Sequence, residues 1–523
     1  MSQNLASKDR EPVAASRGRA TDEAVRDRVI EAFRKRRGEA TTADIVALTG
    51  LPLERVKAEL PAVSDEYGAR LRVTESGEIL WSFPHGFRSR YRGFGPSLKR
   101  FWKAFKKGAA ETGKFLFKAW IVVMLVGYFV LFLLLALLAF LASIAAQSSG
   151  RSDSRDSRGG GLGGVFLTGR LLETFINIWF YSEVFKDPRQ RSWEANMRAQ
   201  KRRERRPLHH AVFSFVFGEP DPNADWDGTE RRAVVAWLQA NKGIVTMPEF
   251  RALTGLSPLQ AEDRITTYLR DYGGEPTVSD NGSILFSFPD LLRRMDRADR
   301  SQGGSVPMQR LRPFTGNKGN ANLWFGGINL VNLLFGGYFL AGSLAQHPLL
   351  PAIYGGRFAT KLVSTGGWDA FWLFVHQVFG KIVGIQDPTL LLGLGLGVVP
   401  TAFALFFYGI PAIRHGLWKA DNERVKVGNL RRVVYRSVLD QPLGFQPAAV
   451  EPGMEAATPA DKNAKDRIVL ELAAADEGEP AADGSYSWKG IQRAKNDAAA
   501  ARAAVRLEAS ELGKAVFDSH GEN

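Results

Sequence analysis

The 523-residue chain has no cysteine. Structural disulfides, thiolate-held zinc, iron–sulfur ligation by the chain itself and thiol catalysis are therefore excluded. The compartment stays open, because a chain without thiols suits any redox environment. The seven histidines (His85, His209, His210, His347, His376, His415 and His520) are scattered, with no HExxH and no metal-ligand spacing. No P-loop, G-x-S-x-G elbow or kinase set is present. The Gly/Ser/Arg run at 149–164 reads as a low-complexity external loop rather than a phosphate cradle. Residues 1–20 lack the apolar core of a signal peptide and read as a flexible tail. These absences lead to the expectation of a non-enzymatic chain with no catalytic residue, metal or cofactor.

What is present is segregated. The mean hydropathy of -0.16 averages over charged stretches and long apolar runs. Ala119–Ala146 carries no charge, and at ~1.5 Å per residue it outruns a hydrocarbon core of ~30 Å. Asn322–Ala345 and Leu390–Ile413 are comparable. Two weaker runs are 162–185, where Arg170 and Glu173 stand i, i+3 and can neutralise each other, and 367–386, with His376 and Lys381. The net charge of +14 is concentrated in four blocks, 85–118, 186–206, 290–320 and 414–436, which together carry +24 and leave −10 elsewhere. All four flank apolar runs. Such charge orients a membrane protein and attracts anionic lipid, at about 1 kcal/mol per basic residue near the surface. Basic blocks on both sides require an even number of crossings, so 162–185 reads as a return helix, with an interfacial helix as the alternative. Residues 117–185 then form a transmembrane hairpin and 322–413 a transmembrane region, with 367–386 a re-entrant or surface-lying element. Four crossings of a cell's inner (cytoplasmic) membrane are expected, with the soluble parts cytoplasmic.

Residues 96–116 form a basic amphipathic helix in this reading. Leu98, Phe101, Trp102 and Phe105 share one face, while Lys99, Lys103 and Lys106 occupy the other, a pattern suited to the lipid headgroup layer. Gly393 and Gly397 make a GxxxG step that admits a close neighbouring helix. Asn329 and Asn332 lie near one face of 322–345 with Asn322 and Gly336, and read as helix-packing residues rather than a substrate path. Self-association through these helices is a further use of the same surfaces.

An internal repeat organises the rest. Residues 28–84 and 233–289 align without a gap, with 17 of 57 positions identical, including ALTGL, Tyr-Gly and GEILWSFP against GSILFSFP. Each copy reads as three helices closed by glycines, then a hairpin around S-G or N-G. That order predicts winged-helix-like domains at 21–90 and 224–292. Basic linkers occupy 186–223 and 293–321, and a basic helix 414–440. The acidic and Ala-rich region 441–523 contains a linker near 441–462 and ends in ELGKAVFDS. That stretch echoes the G-x-I-L-x-S strand, so the region reads as a degenerate third copy or a helical hairpin. The fold class expected is an α-helical integral membrane protein with two winged-helix-like (α+β) cytoplasmic repeats.

Winged helices often bind DNA, yet the copies count 9 basic against 9 acidic residues (28–84) and 6 against 7 (229–289). Neither has the electrostatic footprint that supplies non-specific affinity. The partners expected are membrane lipids and a protein, with nucleic acid disfavoured.

The motifs resemble an uncharacterised family of multi-pass membrane proteins of cyanobacteria and plant plastids, whose repeated domains end in a G-[DE]-I-x-[YF]-x-F-P hairpin. FSFVFGEPDPN at 213–223, PFTGN at 313–317 and VVPTAFALFFYGIPAIR at 398–414 are similar as well. The resemblance implies membrane embedding, cytosolic or stromal domains and no settled activity. Some plant relatives carry an iron–sulfur biosynthesis label, but this chain has no cysteine with which to hold a cluster. The functional expectation is a membrane-anchored scaffold that recruits a protein partner. The alternatives are a membrane-tethered DNA-binding regulator and a transporter component.

Overall fold

A computed structural model describes residues 24–88, 90, 94–148, 206–295, 308–346, 389–451, 461–505 and 512–519, with single positions at 375, 378, 381 and 384. The expected return helix 162–185 with Arg170 and Glu173, the loop 149–164, the tail 1–20 and most of 367–386, His376 included, lie outside the described residues. The described residues are mostly helical, with three small sheets among them. It divides into two compact units, one made of Met1–Phe101, Asp221–Arg312 and Ala420–Asn523, the other of Trp102–Pro220 and Pro313–Lys419.

The first unit begins with a helix over 24–35 (α1), then β1 (Glu39–Ala40), α2 (Thr42–Thr49), α3 (Leu53–Tyr67), β2 (Arg70–Thr74) and β3 (Ile79–Ser82). Thr41 and Asp44 form a capping box that starts α2, each side chain accepting from the other's backbone N–H (3.2 and 3.1 Å). Gly50 ends the helix at φ 68°, where a side chain would be strained. The hairpin puts β3 between β1 and β2.

Three helices of the second unit follow, of which the first two are continuous through a π-turn. These are α4 (Phe94–Val122), the π-turn Val123–Gly127, α5 (Tyr128–Ser148) and, later, α6 (Leu208–Phe217). The π-turn falls inside the apolar run Ala119–Ala146.

Back in the first unit, α7 (Trp226–Ala240), β4 (Ile244–Thr246), α8 (Met247–Thr254), α9 (Pro258–Tyr272), β5 (Glu275–Val278) and β6 (Ile284–Ser287) repeat the order of the first segment. The capping box recurs at Thr246 and Glu249, and Gly255 again has φ 68°. The central strand is again the last of the three. The two segments share one apolar core, in which Phe33, Val46 and Val56 join Val235, Phe250 and Tyr268.

The second unit resumes with α10 (Ala321–Gln346), α11 (Thr389–Leu392) and the π-turn Gly393–Val398. Helix α12 (Val399–Asp440) follows, counted with the second unit to Lys419 and with the first from Ala420. Among the described residues three helices are long and apolar enough to cross a membrane: Glu111–Ala139, Ala321–Leu344 and Thr389–Asp440.

The first unit closes with α13 (Asp461–Ala475), β7 (Glu479–Pro480), β8 (Tyr486–Ser487), α14 (Lys489–Ala504) and β9 (Ala515–Asp518). Here the structure revises the sequence reading twice. The linker near 441–462 contributes to a sheet, since Phe445 bridges Tyr486 with backbone hydrogen bonds of 2.8 and 2.9 Å. Phe445, β8 and β7 thus take the order seen in the other two sheets. The hairpin turn is also the same: Ala481 N–H donates to Ser485 O and Gly484 N–H to Ala481 O, as Ser279 does to Ser283 and Gly282 to Ser279, and Thr74 to Glu78 and Gly77 to Thr74. The echo stretch ELGKAVFDS does not complete that arrangement. Its described part forms β9, which pairs with β2 of the first sheet.

Candidate functional site

The stretches that carry the family resemblance meet at one polar junction in the second unit. Helix α6 supplies Ser214, whose hydroxyl donates to Glu219 (2.6 Å) and accepts from Gly316 N–H (2.9 Å). Glu219 also pairs with Arg206. Asn317 donates to the carbonyl of Ala211 and to Asn322 (both 2.8 Å), and Asn322 to Thr315 (2.9 Å). Arg414, on α12, donates to the carbonyls of Phe314 (2.6 Å) and Phe215 (3.1 Å), with its guanidinium 4.0 Å from the Phe314 ring centre. FSFVFGEP, PFTGN and GIPAIR are thus one hydrogen-bonded clasp. Asn223, which ends the first of these stretches, belongs to the first unit and exchanges hydrogen bonds with the backbone of Arg310 (2.7 and 3.0 Å).

The clasp's electrostatics follow from its partners. Arg206 holds the Glu219 carboxyl below its usual range, with Ser214 and Gly316 assisting. Glu219 in turn raises Arg206. Desolvation, then the charge of Lys118, lowers His210. Ser214 is not poised as a nucleophile: it is buried, and its proton is committed to an ionised carboxylate. Among the described residues no group of three His, Asp or Glu side chains is placed to hold a metal ion.

The residues expected to pack helices sit where backbones approach. A Cβ on Gly393 would lie 2.7 Å from Ser343, on Gly397 2.8 Å from Leu340, and on Gly336 2.7 Å from Thr401. Asn329 and Asn332 are fully buried. Asn329 donates to the carbonyl of Ala404 (3.1 Å), and Asn332 to that of Leu125 (2.8 Å), inside the first π-turn. Tyr128 donates to Gly395 O (2.8 Å), inside the second. A π-turn disturbs the i→i−4 ladder, and a side chain from a neighbouring helix supplies a bond to each. Nothing in the sequence announced this. Leu98, Lys99, Phe101, Trp102, Lys103 and Lys106 stand in α4 by their backbone, their side chains lying outside the described residues, while Phe105 is exposed.

In the first unit the two ALTG turns are docking points. A Cβ on Gly50 would lie 3.1 Å from Gly228 O and from Arg231, and Tyr272 donates to Gly50 O (2.9 Å). A Cβ on Gly255 would lie 2.5 Å from Gly428 O. Each turn therefore rests on a helix that reads G-x-x-R-R, 228–232 in one case and 428–432 in the other. That shared pattern was the signal sequence reasoning missed. Arg432 is buried, donates to Thr254 O (2.5 Å) and Leu253 O (3.4 Å), and lies 3.7 Å from Glu230. Its guanidinium is 5.0 Å from the Trp226 ring centre. Desolvation pushes its pKa down to about 10, against the attraction of Glu230. An ion pair between the opening helix and the helix before the hairpin also recurs, Arg26–Glu66 (4.0 Å), Arg231–Asp271 (2.7 Å) and Arg431–Glu471 (3.1 Å).

Beside Arg432 lies an open cleft of about 930 Å³, lined by both charge signs: Glu230, Asp263 and Glu423 face Arg264, Arg424 and Arg431. Apolar exposure is found elsewhere on the second segment. Val278 (73% exposed) and Ile284 (57%) oppose each other at the hairpin tip, and Leu259 (77%) begins α9.

No family model matches the chain, and no solved structure matches it. It is similar to an uncharacterised chloroplastic protein of Arabidopsis thaliana, with 24% identity over 284 residues. The matched region is 53% of this chain and 50% of that protein, so the chain spans about half the length of the curated relative. A plastid relative without a characterised activity fits the plant-plastid side of the resemblance drawn from the motifs.

Proposed function

We propose that this chain is a non-enzymatic membrane-anchored scaffold, in which winged-helix-like segments recruit a protein partner. The three apolar helices cross a bilayer in this reading, and the basic blocks beside them hold the segments on the cytoplasmic side. Residues 428–488 count as a third copy, because the G-x-x-R-R helix, the strand order and the turn hydrogen bonds recur there. The observation that carries partner recruitment is the exposed apolar tip of Val278 and Ile284 on a segment of balanced charge. Exposed apolar side chains clustered on an otherwise polar module mark a contact surface. Against a DNA reader stand the charge balance and the two buried turns. The helix-turn-helix corner, which a DNA reader places at the groove, is here spent on contacts within the chain.

The test uses the full chain in native membranes with a photo-crosslinking residue at Leu259. A protein adduct should form, and Val278→Lys with Ile284→Lys should remove it while the chain still accumulates. An adduct that the double substitution leaves unchanged, or co-purifying duplex DNA released steeply by salt, would overturn the reading. Orientation is tested separately: protease added to intact cells should leave the segments uncut.

A further inference from the structure

The edge of the first sheet differs from its counterparts. In each hairpin the first strand is the outer one, and its backbone at one position points away from the second strand. In β2 that position is Leu71, paired across the hairpin with Trp81; in β5 it is Pro276, paired with Phe286; in β7 it is Pro480, paired with Tyr486. Proline has no N–H to offer an incoming strand, so the second and third hairpins are blunted against pairing. Leu71 is not blunted. Its N–H donates to Ser519 Oγ (2.9 Å), and its carbonyl accepts from Ser519 N–H (2.9 Å). Glu75 N–H donates to Lys514 O (3.0 Å), and Arg70 makes a two-oxygen contact with Asp518 (2.7 and 2.9 Å).

The strand that occupies this edge is lightly held. Val516 is 71% and Phe517 59% exposed, so β9 buries little apolar surface. Backbone bonds, the hydroxyls of Ser519 and Ser76 and the Arg70–Asp518 pair are among the contacts that hold it, much as an added strand binds a sheet edge. It comes from a position 448 residues away in the sequence. The ten residues between Ala504 and Ala515 span at most about 35 Å when extended.

We propose that the β2 edge is a strand-acceptor site, and that the 512–519 segment of a second copy of this chain exchanges into it, linking two copies through the contacts made here within one. Identical chemistry is available in trans, and little apolar burial is lost during exchange. The proposal is independent of partner recruitment through the second hairpin.

The absence of cysteine makes the test clean. Val73 and Phe517 face each other across the two strands, so the double variant Val73→Cys/Phe517→Cys should oxidise to a disulfide within one chain in isolated membranes. Co-expressed, differently tagged chains carrying Val73→Cys or Phe517→Cys alone should give a disulfide-linked dimer of the two. Asp518→Arg on the donor should lower its yield about tenfold, and Arg70→Asp on the acceptor should restore it. Leu71→Pro on the acceptor should abolish the dimer while leaving amide protection in β3 intact, as the second hairpin tolerates Pro276. A double variant that does not oxidise within the chain overturns the pairing. Single-cysteine chains that never cross-link to each other, or whose cross-link ignores the charge swap, overturn the exchange.

Discussion

The two units bury polar groups in opposite ways. Every charged side chain buried among the described residues belongs to the first unit: Asp44, Glu230, Arg251, Arg294, Arg432 and Asp497. The buried polar side chains of the second are neutral, namely Ser214, Asn329, Asn332 and Ser343. Each buried charge has close partners. Asp44 accepts from Thr41 and Met295 N–H and lies 3.5 Å from Arg294, and Arg251 meets Asp476 at 2.7 Å. In the apolar bundle, amides and tyrosines donate to backbone carbonyls instead. A buried charge carries a desolvation cost of several kcal/mol unless it is paired, whereas an amide asks for far less. Among the described residues the unit with the long apolar helices thus buries only neutral polar side chains, while the other buries charges with close partners.

That contrast sets a ranking of effects, each measurable on the detergent-solubilised full chain. Arg432→Ala should be the most damaging. It leaves the Leu253 and Thr254 carbonyls buried without their donor and takes a positive charge away from buried Glu230, a loss of about 3–5 kcal/mol, read as lost amide protection over 247–256. Arg432→Met should cost less because it keeps much of the volume, and a negligible loss there would show that the charge is not what matters. Gly255→Ala comes next, at about 2–4 kcal/mol, because positive φ and the Gly428 carbonyl both oppose it. Gly282→Ala has similar φ but open space, so about 1 kcal/mol is expected there. If the two substitutions cost the same, the ALTG turn is not a docking point.

Asn332→Leu should cost about 1 kcal/mol through the orphaned Leu125 carbonyl, as a lowered midpoint of thermal unfolding. Asn332→Asp should cost more than Leu; if it costs less, the bundle tolerates charge and the contrast between the units fails. The smallest effect is a pH dependence. Glu219 titrates lower folded than unfolded, so its contribution is complete above the ordinary carboxylate pKa of about 4.3 and declines as pH falls through the folded value. Glu219→Gln should flatten the pH dependence in that acidic window and lower stability near neutrality, where the wild-type contribution is complete.

Much of the local structure was legible because its causes are local. Gly50, Gly68, Gly255 and Gly273 end helices in the left-handed region, where a missing Cβ is worth most. The S-G and N-G turns were readable for the same reason. In the sequence the degenerate third copy reads at ELGKAVFDS rather than at 479–488, because the strands there are shortened and Trp488 stands where the others have Phe. The G-x-x-R-R helix that opens it lies inside a longer basic helix, where arginines had an adequate membrane explanation. For the clasp, the sequence offered three family-like stretches but no reason for them to meet.

Composition and periodicity alone determined three properties here: where apolar spans lie, where charge collects beside them, and that one small segment recurs. These depend on transfer free energies and on backbone preferences within a few residues. Only the tertiary structure decided that the ALTG turns dock on G-x-x-R-R helices, that Asn332 and Tyr128 serve carbonyls in π-turns, and that β9 caps β2. Each of those pairs groups far apart in the chain, and hydrogen bonds between distant residues leave no periodic trace in either partner.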